Sequence, residues 1–244
     1  METMISVQRA LDLIAQEVLP IASVEMAIEL ANGLVLAETI YSSEHVPAFS
    51  QSSMDGYAFA YHEDIISYQL VGEMAAGSST TFHLNPGEAV RIFTGAAVPS
   101  SANTVLMQEK ALVQDGKLKI LDDQLKKGNN VRQIGSEIAK GEKAVEKGTV
   151  LKPAVIGFLA SMGISKVKIY PNPKVAIVVT GNELVSPGGN LEYGQLFEAN
   201  SFTLTAALKQ MGIQDVTIVQ VKDDLDRLHA VLSQIIEVHD LVLI

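Results

Sequence analysis

The clearest hydrophobic pattern in the chain is the unbroken apolar run from Val175 to Val179. A short run of this kind, without polar alternation, predicts a strand that is buried on both faces, as in a parallel sheet. The run ends at Thr180-Gly181-Asn182-Glu183, where a glycine permits a tight turn and a carboxylate follows. Ligands of open α/β sheets bind beyond the carboxyl ends of the strands. This turn is therefore a candidate site, and a plain polar turn is the alternative.

Strands and helices alternate after the stiff segment Tyr170-Pro171-Asn172-Pro173, which is the best domain boundary in the chain. The pattern predicts strands at 175–179, 216–221 and 241–244, with helices from 200 to 211 and from Asp223 or Asp224 onward. This order predicts a partial doubly wound parallel α/β domain over residues 171–244. Because such a sheet should continue, we expect the natural protein to extend past Ile244.

The segment 46–149 has a different pattern, in which short β-type runs are separated by recurrent glycines. It predicts a β-rich domain, with a hairpin whose tip is Asp115-Gly116. Residues 1–45 and 150–170 predict a small mixed helix/strand linker domain. Its expected elements are helices at 6–19, 23–31 and 153–162 and strands at 34–41 and 166–169. The predicted fold class is therefore multidomain, α/β plus all-β.

Composition and charge narrow the function classes. The 244 residues are 48% hydrophobic, contain no cysteine and carry a formal net charge of −10. The acidic balance argues against nucleic acid and membranes as partners. With no apolar run near the ~20 residues of a membrane helix and no leader pattern, we expect a cytoplasmic protein. The five histidines are scattered, so any metal is expected to be a hard cation that carboxylates hold.

Two further segments carry candidate chemistry. The loop around Ser53 presents Asp55, although Asp55-Gly56 could simply be a hairpin turn. The turn at Thr94-Gly95 could hold an anion through its backbone N–H groups, although a plain turn is again the alternative. An acidic protein with an anionic substrate needs a local cation, which is either a placed side chain or a metal.

Five short motifs, taken together and in order, resemble one family. They are Ser53-Met-Asp-Gly-Tyr-Ala58, Arg91-Ile-Phe-Thr-Gly-Ala96 with Val98-Pro99, Met107-Gln-Glu109, Gly128-Asn-Asn-Val-Arg132 and Thr180-Gly-Asn-Glu-Leu184. The chain is identified on these motifs as resembling the molybdopterin molybdenumtransferases, which are the bacterial MoeA proteins and the E domain of gephyrin. The resemblance implies that the α/β segment is MogA-like.

The resemblance also implies a function in molybdenum cofactor biosynthesis. This is the insertion of molybdate into adenylylated molybdopterin, with Mg²⁺ and release of AMP, by a homodimer. A molybdopterin adenylyltransferase is an implied further partner. The implied catalytic residues are Asp55, Thr94, Glu183 and Asp223, with Glu183 and Asp223 as metal ligands and Ser53, Gly95, Asn182 and Asn200 as substrate-binding residues.

Three departures from the family pattern bear on these assignments. Asn182 stands where the family usually has Asp, so more of any metal binding falls to Glu183. Ser136-Glu137 replaces the usual Glu-Asp pair. The later loops and the C-terminal β domain of the family are absent, so this chain alone is expected to be inactive or nearly so. The alternatives are a non-catalytic gephyrin-like scaffold and a related pterin-binding adenylyltransferase, although the β-rich segment disfavours the latter.

Overall fold

The structure is a computed structural model that describes residues 4–244. The α-helices of this part of the chain are α1 (Val7–Glu17), α2 (Pro153–Ser161), α3 (Asn200–Gln210) and α4 (Leu225–Ile235). The first nine strands are β1 (Val24–Ala27), β2 (Val35–Leu36), β3 (Ile40–Tyr41), β4 (Gln51–Ser52), β5 (Gly56–Phe59), β6 (Ser67–Met74), β7 (Glu88–Ile92), β8 (Thr104–Met107) and β9 (Ala111–Gln114). The others are β10 (Lys117–Ile120), β11 (Val131–Arg132), β12 (Lys143–Val145), β13 (Lys166–Tyr170), β14 (Val175–Thr180), β15 (Leu184–Val185), β16 (Leu196–Phe197), β17 (Val216–Val221) and β18 (Leu241–Leu243).

The chain divides into two compact units, so its fold is multidomain and combines mixed α/β and β-rich parts. The β-rich unit consists of Thr39–Glu146 and Phe158–Gly163. The α/β unit consists of the chain up to Glu38, Lys147–Gly157 and Ile164–Ile244. Most of the predicted linker segments lie in the α/β unit, and the three-domain boundaries stay a prediction. Among residues 4–244, no helix is both long enough and apolar enough to cross a membrane.

A six-stranded sheet forms the centre of the β-rich unit. Its strand order is β8-β5-β7-β6-β10-β9, and all neighbours are antiparallel except the parallel pair of β6 and β7. Ala58, Val90, Ile92 and Val105 are buried together on one side of this sheet. Apolar side chains from adjacent strands thus share one core, as the β-type runs of the sequence predicted.

The predicted hairpin is confirmed. Strands β9 and β10 pair antiparallel, and Gln114 lies opposite Lys117. Both tip residues have positive φ angles, 52° at Asp115 and 73° at Gly116. This conformation suits the Asp-Gly pair, because aspartate tolerates the left-handed region and glycine has no Cβ to clash there.

Strand β14 is the centre of the parallel sheet in the α/β unit, where it lies between β17 and β18. Its first five residues are all buried. Val175, Ile177 and Val179 pack against Leu208 of α3, while Ala176 and Val178 pack against Ile235 of α4. A helix therefore covers each face of the strand, as its unbroken apolar run predicted.

The predicted helix over 23–31 is wrong. Residues 24–27 form β1, which pairs antiparallel with β13 through Val24 and Ile169, and Ile28–Leu30 forms a short 3-10 helix. The predicted strand over 34–41 is interrupted and becomes β2 and β3. Both errors arise because long-range pairing with residues about 100 to 145 positions away decides the conformation of this short segment.

Helix starts were predicted with mixed success. Ser6 caps α1, because its hydroxyl accepts a hydrogen bond from the N–H of Arg9 at 3.1 Å. Asp224 caps α4 in the same way through the N–H of Arg227 at 2.9 Å, so the choice between Asp223 and Asp224 is resolved in favour of Asp224. The predicted cap of α3 at Asn200-Ser201 is wrong, since α3 already includes both residues.

Candidate functional site

The first group of predicted site residues lies in the β-rich unit, where two adjacent strands end. Asp55 immediately precedes β5 and Thr94 follows β7, and Gly56 lies opposite Ile92 in this antiparallel pair. The backbone N–H and the hydroxyl of Thr94 both donate to Oδ1 of Asp55, each at 2.8 Å. The structure thus brings together two residues that are 39 positions apart in the sequence.

These contacts fix the charge of Asp55. The hydrogen bonds from the N–H and then the hydroxyl of Thr94 hold the pKa of Asp55 below its ordinary value. Partial desolvation opposes these two hydrogen bonds, and the positive charge of Arg91 adds a smaller lowering of the pKa. The Asp55 carboxyl is therefore ionised at neutral pH.

The close approach of β8 requires a glycine at position 56, directly after Asp55. A Cβ at this position would lie 1.9 Å from the carbonyl oxygen of Leu106 on β8, which is closer than two atoms can approach. The hairpin-turn interpretation of Asp55-Gly56 is wrong, because β5 pairs with β7 and β8 instead of with the preceding strand. The glycine permits close strand packing, and that packing positions Asp55.

The backbone around Thr94 is not free to bind an anion. The N–H of Thr94 donates to Asp55, that of Gly95 to the carbonyl of Ser52 at 2.8 Å, and that of Ala96 to the carbonyl of Phe93 at 3.0 Å. The predicted anion-binding cluster of backbone N–H groups is therefore wrong. Ser53, whose N–H donates to the carbonyl of Asn130 at 3.0 Å, and Gly95 lie beside this turn, and their substrate contacts stay predictions.

Arg91 is a neighbour to which the sequence reasoning gave no role. Its guanidinium carbon lies 4.9 Å from the ring centroid of Tyr57 and 5.3 Å from that of Phe93. One guanidinium nitrogen donates to Oε1 of Gln108, and the backbone N–H of Gln108 donates to the carbonyl of Asp55 at 3.0 Å. The sequence feature that could have indicated Arg91 is its positive charge in an acidic chain. It opens the motif Arg91-Ile-Phe-Thr-Gly-Ala96, three residues before Thr94.

The second group lies in the α/β unit, at the carboxyl ends of the parallel strands β14 and β17. The N–H of Asn182 donates to Oδ2 of Asp223, and the N–H of Asp223 donates to Oδ1 of Asn182, both at 3.3 Å. Glu183 follows Asn182, and its Oε2 would lie 2.9 Å from a Cβ placed on Gly181. Asn182, Glu183 and Asp223 are all exposed, so this strand edge carries oxygen ligands in contact with solvent.

The oxygen ligands of this edge fit Mg²⁺ as a partial site. Within residues 4–244, no three His, Cys, Asp or Glu side chains lie together as a potential metal site. Mg²⁺ prefers oxygen ligands and is commonly held by one or two carboxylates together with water and substrate phosphates. Glu183 and Asp223 have the right chemistry for such a shared site, and their assignment as ligands stays a prediction.

A pocket of about 360 Å³ opens at the carboxyl end of β14. Thr180, Leu184 and Asn200 are among the residues that line it. Asn200, the first residue of α3, therefore lies where a ligand at this sheet edge would reach it. A substrate contact of Asn200 remains a prediction.

Glu198 is a residue of this region that sequence reasoning missed. Its side chain is buried, with the residue 7% exposed, and accepts hydrogen bonds from the N–H and the hydroxyl of Ser201 at 2.8 and 2.6 Å. Burial raises the pKa of Glu198, but the hydrogen bonds from Ser201 and the N–H of Asn200 more than offset it, so the pKa lies below its ordinary value. The sequence signal was a glutamate three residues before a serine at a predicted helix start.

These features together define a class of protein: a multidomain ligand-binding protein with oxygen ligands at the open edge of a parallel α/β sheet and a second acidic turn on a β-rich unit. Residues 5–163 match the family model described as "MoeA N-terminal region (domain I and II)". Residues 176–244 match the model described as "Probable molybdopterin binding domain". The chain belongs to the MoeA family, whose curated members are named molybdopterin molybdenumtransferase.

Individual relatives agree with this assignment. The molybdopterin molybdenumtransferase of Nostoc sp. is 37% identical over an alignment of 220 positions, which covers 87% of this chain and 50% of that protein. Molybdopterin molybdenumtransferase 2 of Mycobacterium tuberculosis is 30% identical over an alignment of 247 positions, which covers 98% of this chain and 60% of that protein. The chain thus spans about half to three fifths of the length of these curated relatives.

A solved structure has the same fold. The crystal structure of a molybdopterin biosynthesis MoeA protein from Pyrococcus horikoshii matches this chain with a TM-score of 0.81 and 31% sequence identity. The match covers 98% of this chain and 63% of that one.

Proposed function

We propose that the full-length form of this protein acts in molybdenum cofactor biosynthesis and inserts molybdate into adenylylated molybdopterin with release of AMP. The observation that carries the proposal is the pair of carboxylates, Glu183 and Asp223, at the carboxyl ends of adjacent parallel strands in a member of the MoeA family. Open α/β sheets bind ligands at this edge. The substrate class, a molybdopterin, is inferred from the names of the relatives and of the matching domain.

Asp55 suits the role of a fixed hydrogen-bond acceptor. Because its pKa is lowered, Asp55 is a weak base that stays ionised, and an ionised carboxylate can accept charge-assisted hydrogen bonds from a hydroxyl or amino group of the substrate. Both bonds from Thr94 reach Oδ1, which leaves Oδ2 to face a ligand. We therefore assign Asp55 to orienting the substrate and Thr94 to holding Asp55 in place.

Glu183 and Asp223 are the residues that would hold Mg²⁺. When bound, the ion would reduce the repulsion between the oxygens of molybdate and those of the phosphate groups. The exchanged hydrogen bonds between Asn182 and Asp223 tie the loops after β14 and β17 together and limit the movement of Asp223. Asn182 thus supports the metal site even though its side chain carries no charge.

AMP release tests the proposal directly. The full-length form is supplied with adenylylated molybdopterin, molybdate and Mg²⁺, and AMP is quantified by chromatography. We expect AMP to form only when molybdate is present. A folded full-length protein that releases no AMP would contradict the transferase proposal and favour the scaffold alternative.

Substitution of Glu183 links that activity to this site. We expect Glu183→Gln in the full-length form to raise the Mg²⁺ concentration needed for half-maximal AMP release at least tenfold, because one of two charged ligands is lost. Its stability should change by no more than about 0.5 kcal/mol, since Glu183 is exposed. Glu237→Gln, which alters an exposed glutamate outside the site in the same unit, is the matched control and should leave the Mg²⁺ requirement unchanged.

We also propose that the active form is a homodimer and that a molybdopterin adenylyltransferase supplies its substrate. Light scattering of the full-length form, measured over a range of concentrations, tests the first statement by its molar mass. The second statement is tested by AMP release in a coupled reaction with the adenylyltransferase, measured with the two enzymes mixed and with a physical barrier between them.

A further inference from the structure

The strongest feature outside the assigned residues is the surroundings of Arg91 in the β-rich unit. Arg91 and Phe93 are two positions apart along the chain, and Tyr57 lies directly opposite Arg91 on β5. Residues with this spacing point to the same face of a sheet. Ile92 and Ala58 are buried in the core on the other face, whereas Arg91, Tyr57 and Phe93 are half-buried. The face that carries Arg91 has a buried core of its own, against which Tyr57 packs, so the guanidinium of Arg91 is only partly exposed to solvent.

This guanidinium is held in place by three neighbours. Two aromatic rings lie within 5.3 Å of its carbon, and Gln108 accepts one of its N–H groups. Stacking on aromatic rings leaves the N–H donors at the edge of the plane available, and an arginine has five such donors. The bond to Gln108 uses one, so the others can be offered to a ligand.

The charge of Arg91 is not neutralised by a close ion pair. None of the ion pairs within 4.0 Å found across residues 4–244 includes Arg91. The backbone N–H groups of Thr94, Gly95 and Ala96 are all used internally. In a chain with a net charge of −10, Arg91 is thus the group at this turn with both a positive charge and spare donors.

We propose that Arg91 binds a tetrahedral oxyanion beside Asp55, with its planar fork directed by Tyr57, Phe93 and Gln108. The shared chemistry is that of phosphate and molybdate, since a guanidinium can donate two parallel hydrogen bonds to such an anion. The inference rests on the proposed function, in which both anions take part. It adds a cation to the acidic turn of the β-rich unit.

Nuclear magnetic resonance can test the proposal without turnover. The chain has only four arginines, Arg9, Arg91, Arg132 and Arg227, so its Nε–H spectrum is simple. The 244-residue chain is titrated separately with inorganic pyrophosphate and with molybdate. We expect a saturable shift of the Arg91 Nε–H signal with at least one of them, while the other three arginines serve as internal references. The anion that produces the shift identifies the source of the oxyanion.

Variants then separate a specific site from a general charge effect. Binding is followed through the side-chain amide of Gln108 in each variant. Arg91→Gln should weaken binding about tenfold or more, because charge-assisted hydrogen bonds are lost. Arg91→Lys, which keeps the charge and loses the planar fork, should weaken it less. Lys119→Gln removes the same charge from the exposed surface of β10, separated from β7 by β6, and should change it less than twofold.

Two results would overturn the proposal. The first is that neither anion produces a saturable shift of the Arg91 Nε–H signal. The second is that Arg91→Gln and Lys119→Gln weaken anion binding equally. A backbone amide spectrum of each variant shows whether it is folded, and Arg91→Lys provides the test if Arg91→Gln is not. Because these titrations need no catalysis, their failure rejects the Arg91 site alone, whereas missing AMP release in the full-length form rejects the proposed function.

Discussion

The hydrogen bond between the hydroxyl of Thr94 and Asp55 makes a prediction for one titrating group. Thr94→Val keeps the side-chain shape and the backbone N–H and removes only the hydroxyl donor. We expect the pKa of Asp55 to rise toward its ordinary value, yet to stay below it because the backbone hydrogen bond remains. A titration of the Asp55 carboxyl carbon by nuclear magnetic resonance measures the change.

The same contact has a consequence for stability. A carboxyl whose pKa is lowered on folding stabilises the native state above its unfolded pKa, and this stabilisation is lost as the pH falls through the folded pKa. Thr94→Val should therefore show a smaller loss of stability on acidification than the wild type. Thr80→Val, an exposed threonine of the same unit, is the control. An unchanged Asp55 pKa in Thr94→Val would mean that the hydroxyl does not set it.

Glu198 makes a second prediction at the residue scale. Glu198→Gln removes the buried carboxylate that accepts two hydrogen bonds from Ser201 at the start of α3. We expect a loss of about 1–3 kcal/mol in the free energy of unfolding, measured by urea denaturation at pH 7, since hydrogen bonds to a charged group at a helix N-terminus are lost.

The control for this change is Glu192→Gln, an exposed glutamate of the same unit, which should change stability by no more than about 0.5 kcal/mol. Because the pKa of Glu198 is lowered, the difference between wild type and Glu198→Gln should shrink as the pH falls through the folded pKa of Glu198. Equal effects of the two variants would show that Glu198 does not stabilise α3.

At the scale of the element, replacing two glycines by alanine should change the stability of the protein in opposite directions. Gly116 has a φ of 73° at the hairpin tip, where any residue with a Cβ is strained, so Gly116→Ala should destabilise the protein by about 1–2 kcal/mol. Gly157 lies inside α2 with open space around its Cβ position, so Gly157→Ala should stabilise it by about 0.5–1 kcal/mol. Urea denaturation compares the two, and effects of the same sign would contradict this account.

The elements that sequence predicted well are those decided by local chemistry. The run Val175 to Val179 is buried on both faces as its composition required, and the Asp115-Gly116 tip adopts the positive φ angles that those residues tolerate. The segment 24–27 failed because its conformation depends on pairing with β13, which no local pattern reveals. The start of α3 failed because its stabilising carboxylate, Glu198, precedes the helix and acts from a buried position.

The candidate site shows the same division. The sequence indicated Asp55 and Thr94 as separate candidates, but their hydrogen bonds follow from the pairing of β5 with β7. That pairing also shows what the sequence could not, namely that the N–H groups at Thr94 and Gly95 are already used. Roles for individual residues came from the family resemblance, because a carboxylate in a turn does not by itself specify a substrate.

At the scale of the whole molecule, the distribution of carboxylates leads to a prediction for the affinity of the proposed Mg²⁺ site. The chain is acidic overall, yet across residues 4–244 no three potential ligands converge on one point. The proposed site at Glu183 and Asp223 would offer two carboxylates and water, and it would become complete only when substrate phosphates contribute oxygens. Mg²⁺ alone should therefore bind with a dissociation constant in the millimolar range.

Thermal unfolding can measure this linkage. At a Mg²⁺ concentration equal to its dissociation constant, the stabilisation is only about 0.4 kcal/mol, which corresponds to a melting-temperature shift of about 1–2 °C. Adding Mg²⁺ together with pyrophosphate should raise the melting temperature more than the sum of the two separate effects. Glu183→Gln should remove this excess, whereas Glu237→Gln should keep it. A rise of several degrees with millimolar Mg²⁺ alone would contradict the two-carboxylate site, because so strong a linkage requires further protein ligands.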